Sequence, residues 1–171
     1  VKLDIDRLWA GWRRSYVEKV DRPTSAAGAG ECVFCALPGL PSEESLVLSQ
    51  GEAVFTVLNL YPYNPGHLMV MPKAHVAELE ALSPVVVTEL MCHVQQAVRA
   101  LKQEYQCEGL NFGMNLGKAG GAGIPQHLHA HIVPRWAGDT NYITVIGGTK
   151  VLPEDLVDTF QRLRSHFLSP E

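Results

Sequence analysis

The stretch Pro125–Gln126–His127–Leu128–His129–Ala130–His131–Ile132–Val133–Pro134–Arg135–Trp136 decides the fold. Three of the seven histidines in the chain fall at every second position, and a proline stands at each end of the run. A segment this short with those ends suits a strand better than a helix. Side chains alternate across a strand, so His127, His129 and His131 share one face. Leu128, Ala130 and Ile132 take the other and pack on a core. The bland alternative is a half-buried strand whose polar side merely carries histidine. Three imidazoles at this spacing point instead to metal binding or phosphate chemistry, because neutral imidazole is both a ligand and a nucleophile near pH 7.

Composition bounds what surrounds the strand. At 171 residues the chain is expected to form a single domain, residues 1–171, with an N-terminal extension over 1–30 and a C-terminal extension over 137–171. A hydrophobic content of 46% supplies a core, and a net charge of −4 offers no basic field for a nucleic-acid backbone. No apolar run reaches membrane-spanning length, and Asp4 and Asp6 do not suit a signal peptide. Cys32-x-x-Cys35 beside a histidine-rich site argues for a reduced, cytoplasmic setting.

Outward from the strand, further elements follow by pattern. Leu3, Leu8, Trp9, Trp12 and Tyr16 predict a short amphipathic helix within 1–20, and 21–30 reads as a loop. Cys32 and Cys35 are either half of a zinc site or a redox pair. Residues 46–49 and 53–58 predict a hairpin, and 67–72 a third strand after a loop stiffened by Pro62, Pro65 and Gly66. Ser83 and Pro84 open the clearest helix, 84–105, with Val87, Leu90, Met91, Val94, Ala97, Val98 and Leu101 on its apolar face. Within it Cys92 is expected to be a buried thiol and His93 a rim residue. Residues 110–115 predict a fourth strand, and the glycine-rich loop 117–123 suits backbone contact with phosphate, with Lys118 beside it. A last strand is expected over 142–146. A closing helix over 153–168 is expected to bury Leu156, Val157, Phe160, Leu163 and Phe167. These runs imply an α+β fold: an antiparallel sheet of about five strands, a long helix packed on one face and a C-terminal helix.

Two blocks resemble the histidine triad (HIT) family. His127, His129 and His131 followed by Ile132–Val133 match its His-x-His-x-His signature, and Asn59 through Pro65–Gly66–His67 to Pro72–Lys73–Ala74–His75 matches a second ordered block. The segment 136–152 resembles that of an actinobacterial-type branch whose members include diadenosine tetraphosphate phosphorylases. The resemblance implies a HIT-like sheet, a homodimer and a structural zinc ion on Cys32, Cys35, His75 and His127. It implies His129 as nucleophile, aided by His131 and His67, and nucleotide contacts from Asn59, Asn115, Gly121, Gly123 and His131. The chain departs from common members at Gly123 and Ile124, where a Gln and a Ser or Thr often stand.

The implied activity is nucleotidyl transfer at the α-phosphate of a purine nucleotide or dinucleoside polyphosphate, diadenosine tetraphosphate first, through a covalent nucleotidyl-histidine. Water as acceptor makes a hydrolase and inorganic phosphate a phosphorylase, and the sequence does not choose between them. Two rivals stand beside it: a non-catalytic nucleotide-binding or signalling protein, and a catalytic-zinc hydrolase using the three histidines as ligands. Arg135 is expected to pair either with phosphate or with a structural carboxylate.

Overall fold

A computed structural model describes residues 32–140, 144, 146 and 152–168. The helix expected within 1–20 and the loop at 21–30 lie outside them. Helix α1 (Val33–Ala36), a 3-10 turn (Leu37–Gly39) and α2 (Ser42–Ser45) lead into strand β1 (Val47–Gln50). Then come β2 (Val54–Leu58), β3 (Leu68–Pro72), the long helix α3 (Pro84–Tyr105), β4 (Gly109–Met114), β5 (Ala130–Arg135) and α4 (Leu156–Arg164). The strands form one five-stranded sheet in the order β1-β2-β3-β5-β4, with every pair antiparallel.

Alternation along the central strands splits the molecule into two packed sides. Val54 and Leu58, Leu68 and Val70, and Ala130 and Ile132 meet Leu90, Val94, Ala97 and Leu101 of α3, with Phe160 and Leu163 of α4 in the same core. Each leucine-sized side chain buried there contributes about 1.5–3 kcal/mol. Phe55, Val57, Met69 and Met71 point the other way and pack with Phe34 and Ile124. Ser83 caps α3 as expected: its Oγ accepts from the Val86 N–H, with Pro84 in the first turn. Gln106 stops the helix in the left-handed region, its N–H donating to the Lys102 carbonyl.

Several expectations change. The hydrogen-bonded part of the histidine strand begins only at Ala130, so His127 and His129 sit in its lead-in. Pro134 lies inside the strand rather than ending it. The pairing of β3 stops at Leu68–Ile132, so no neighbouring strand asks Pro134 for an N–H on that side. Val87 and Met91 are exposed, because the sheet covers a narrower stripe of α3 than their spacing suggested. Cys92 is exposed, not buried, one step off that stripe. The closing helix is shorter than expected and leaves Val157 60% exposed. Thr144 and Ile146 are helical, against the strand expected over 142–146, whose other residues lie outside those described. The β-branched run there imitates a strand, and local propensity yields to context.

Candidate active site and metal site

On the side away from α3, the period-two alternation brings the histidines together. His127 faces Cys32 and Cys35 at the start of α1 and His75 just after β3. The donor atoms of Cys32, Cys35, His75 and His127 all lie within 4.8 Å of one another. His127 Nδ1 is 3.4 Å from Cys32 Sγ and 3.5 Å from Cys35 Sγ, and His75 Nδ1 is 3.3 Å from Cys35 Sγ. Tetrahedral bonds of about 2.3 Å to sulfur and 2.0–2.1 Å to nitrogen separate such atoms by roughly 3.5 Å, so the donor set fits a metal ion. His127 Nε2 donates to the Pro72 carbonyl at 2.8 Å, which leaves Nδ1 bare toward the thiols. Burial, and then the Cys32 sulfur alongside, push the Cys35 thiol up to about 11, so a pair of thiolates here needs a cation to hold it.

His129, 5% exposed, sits two residues on and takes a different environment. Its Nδ1 lies 2.8 Å from the His127 carbonyl oxygen. A carbonyl only accepts, so the proton is on Nδ1 and Nε2 keeps its lone pair. Burial holds this imidazole below its ordinary pKa, so it is neutral at pH 7. The ring of Phe34 stands edge-on to both His127 and His129, at 5.5 and 5.2 Å between centroids.

His67 and His131 form the next pair, His67 Nε2 lying 3.0 Å from His131 Nδ1. The Tyr63 backbone N–H donates to His67 Nδ1 at 3.1 Å, so that nitrogen is bare and Nε2 carries the proton given to His131. With Nδ1 accepting there, the proton of His131 is on Nε2. Asn59, whose Oδ1 accepts from the Tyr61 N–H at 2.9 Å, turns its amide nitrogen toward His67.

A cavity of about 290 Å³ opens beside these groups, with His67 set behind its wall rather than lining it. Asn59, Gly123, His129 and His131 line it, with Phe34 and Ile124 among its apolar walls. Asn115 and Gly121 do not line it; the Asn115 side-chain amide donates to the Gly121 carbonyl at 3.4 Å, tying the loop to itself. Arg135 answers the question its sequence left open. Its Nε and Nη2 grip both carboxylate oxygens of Asp139 at 2.6 and 2.8 Å. Sequence reasoning missed Phe34, which stands between the two cysteines, and Asn64, which stands just before Pro65–Gly66. Their positions inside the two motifs were the available signal.

A family model described as HIT domain matches residues 41–138. The chain is 44% identical over 165 residues to a Mycobacterium tuberculosis protein named AP-4-A phosphorylase, covering 95% of this chain and 85% of that one. It is 33% identical over 82 residues to the Schizosaccharomyces pombe bis(5'-nucleosyl)-tetraphosphatase (asymmetrical), covering 48% of this chain and 44% of that one. Among solved structures it resembles a Zn-bound histidine triad family protein from Mycobacterium smegmatis, with a TM-score of 0.65 and 28% identity over 82% of this chain and 95% of that one.

Proposed function

The chain belongs to the HIT domain family, and from that premise we propose that it is a dinucleoside polyphosphate phosphorylase acting through His129. The observation that carries this is the hydrogen bond from His129 Nδ1 to the His127 carbonyl, which leaves Nε2 as the nucleophile on the cavity wall. Nε2 attacks the α-phosphorus of diadenosine tetraphosphate. A P–N bond forms, the bridging P–O bond breaks, and ATP leaves with the electron pair. An oxygen of inorganic phosphate then attacks the same phosphorus, the P–N bond breaks, and ADP is released. His131 Nε2–H donates to a non-bridging phosphate oxygen as charge builds there, and His67 fixes the orientation of that donor. Asn59 at the cavity wall meets the sugar, and the apolar walls take the base. The backbone of Gly123 lies where side-chain donors stand in common members. Asn115 and Gly121 shape the loop rather than line the cavity.

Phosphate as acceptor is favoured by the 44% relative's name over nearly the whole chain; water as acceptor would make a hydrolase. Product analysis separates them. With added phosphate the expected products are ATP and ADP, and without it turnover falls. ATP plus AMP at an undiminished rate would refute the phosphorylase. An α-labelled substrate should leave acid-labile label on the wild type and none on His129→Ala. No label on the wild type would favour the non-catalytic binding protein.

Cys32, Cys35, His75 and His127 would hold zinc in a closed four-ligand set, a structural role that ties the start of α1 to the histidine strand. A catalytic zinc on three histidines is disfavoured, because only His127 of the triad joins the donor cluster. A homodimer is supported by the edge strand β4, whose Phe112 is 48% exposed and whose outer edge pairs with no other strand among the described residues. Cys32, Cys35, Cys92 and Cys107 are all unbridged, which fits a reducing compartment such as the cytoplasm. Among the described residues no helix is long and apolar enough to cross a membrane. One shared sheet with α3 and α4 packed on it supports reading the described residues as a single domain.

A further inference from the structure

Asn64 is 2% exposed, and a buried amide is costly unless its N–H groups are used. Here both are. Its Nδ2 donates to the Pro134 carbonyl at 2.7 Å and to Asp139 Oδ2 at 2.9 Å. The first bond fills the place that a longer β3 would take, since β5 outruns its neighbour there. The second joins a saturated carboxylate. Asp139 also accepts from Arg135 Nε and Nη2, from the Trp136 N–H at 3.3 Å and from Thr140 Oγ1 at 3.2 Å. Arg135 Nη1 reaches on to Asn111 Oδ1 of β4 at 2.7 Å. Asn64 is thus fastened to the far end of the strand that carries His131.

The same residue governs the turn that ends at His67. Its carbonyl accepts from the His67 N–H at 3.2 Å, and its neighbour Tyr63 supplies the N–H that keeps His67 Nδ1 bare. We infer that Asn64, held by Asp139 and Arg135, is a positioning residue that sets the proton arrangement of the His67–His131 pair. With the Tyr63 N–H in place, protons run one way: His67 Nε2–H to His131 Nδ1, and His131 Nε2–H outward. If the turn relaxes, the longer contact from the Asn59 amide nitrogen at 3.3 Å holds Nδ1 bare less firmly, and a share of His67 carries its proton there. Its Nε2 then accepts from His131 Nδ1–H, and His131 Nε2 becomes a lone pair that repels a phosphate oxygen. The clamp therefore decides whether His131 is a donor or an acceptor toward the substrate. Its catalytic consequence rests on the proposed role of His131, but the proton arrangement does not.

Long-range proton–nitrogen NMR of the imidazoles tests this on the full, zinc-loaded chain at about pH 8, above the ordinary imidazole range. His67 and His131 should each show a single Nε2–H tautomer in the wild type. In Asn64→Ala, with the fold checked by its amide spectrum, both should become mixtures. Asp139→Asn should give a smaller shift in the same direction. In parallel, kcat should fall by roughly ten- to a hundredfold while KM stays within about twofold. A purely structural clamp would lower the melting temperature and leave the tautomers alone. Single Nε2–H tautomers retained in the folded variants overturn the inference. If Asn64→Ala does not fold, Asp139→Asn, which keeps the Pro134 bond, decides alone. Shifted tautomers in a protein that never takes up label would uphold the clamp and refute the phosphorylase.

Discussion

Gly66→Ala should be among the most damaging single-methyl changes in this chain. Gly66 adopts φ +74°, a left-handed conformation that costs a side-chain-bearing residue about 1–2 kcal/mol. An added Cβ would also stand 2.8 Å from Tyr105 Cε2 and 3.0 Å from Leu101 Cδ2. Neither neighbour yields easily. Leu101 is fully buried, and Tyr105 is held by its hydroxyl bond to Glu154 Oε2 at 2.6 Å and by the Arg162 guanidinium over its ring. Overpacking of this kind costs about 1–3 kcal/mol. The lower chain entropy of unfolded alanine returns about 0.4–1 kcal/mol. The net loss is about 1–4.5 kcal/mol, which at this chain length lowers Tm by roughly 2–18 °C. Urea melts at equilibrium measure it, with Gly39→Ala as control, since nothing lies within 4 Å of a Cβ there. Because residue 66 precedes His67, label transfer at a temperature where the variant is folded should also slow by at least about tenfold. A Gly66→Ala protein within about 0.5 kcal/mol of the wild type would show that the turn is not constrained as argued.

Metal analysis should find one zinc ion per chain, and Cys32→Ser with Cys35→Ser should abolish it and lower Tm; a metal-free double variant with unchanged melting would refute the structural ion. Truncating Phe34, buried between the metal donors and the cavity, should cost about 3–5 kcal/mol and weaken AMP binding measured by calorimetry; unchanged affinity in a folded Phe34→Ala chain would remove it from the cavity wall. The Arg135 guanidinium holds the Asp139 carboxyl well below the usual carboxylate range, so that pair stabilises the fold fully above about pH 5 and progressively less as pH falls toward the depressed folded value. The stability gap between wild type and Asp139→Asn, from urea midpoints at about pH 7 and about pH 3, should therefore shrink on acidification; a constant gap would contradict the pairing.

The parts legible in the sequence share a physical cause: they repeat with the period of an element or sit at fixed offsets. His127, His129 and His131 declare a common face because strands alternate, and the structure keeps that face even where the ladder has not begun. Ser83–Pro84 announces α3 because an N-cap and its first turn are local. The pairing of Cys32 and Cys35 with His75 and His127 came through family resemblance, since no local rule joins residues so far apart. Asn64 and Asp139 stayed hidden for that reason: 75 positions separate them, and each alone looks like an ordinary turn residue. Cys92, Val87 and Met91 misled because an apolar type on a helix does not say how wide a stripe its neighbours cover. The expected strand failed at Thr144 and Ile146 because β-branched residues favour strands only where a sheet receives them.

The two-sided packing of the central strands has a practical corollary for engineering. Positions 54, 58, 68 and 70 insert into the helix-covered layer, whereas 55, 57, 69 and 71 belong to the histidine-bearing layer. Within the second set Val57 and Met69 line the cavity, so a library confined to them would retune ligand preference while leaving the helix-covered layer intact. Because the second layer is itself a buried core, such edits must conserve side-chain volume if thermal tolerance is to survive a change of selectivity.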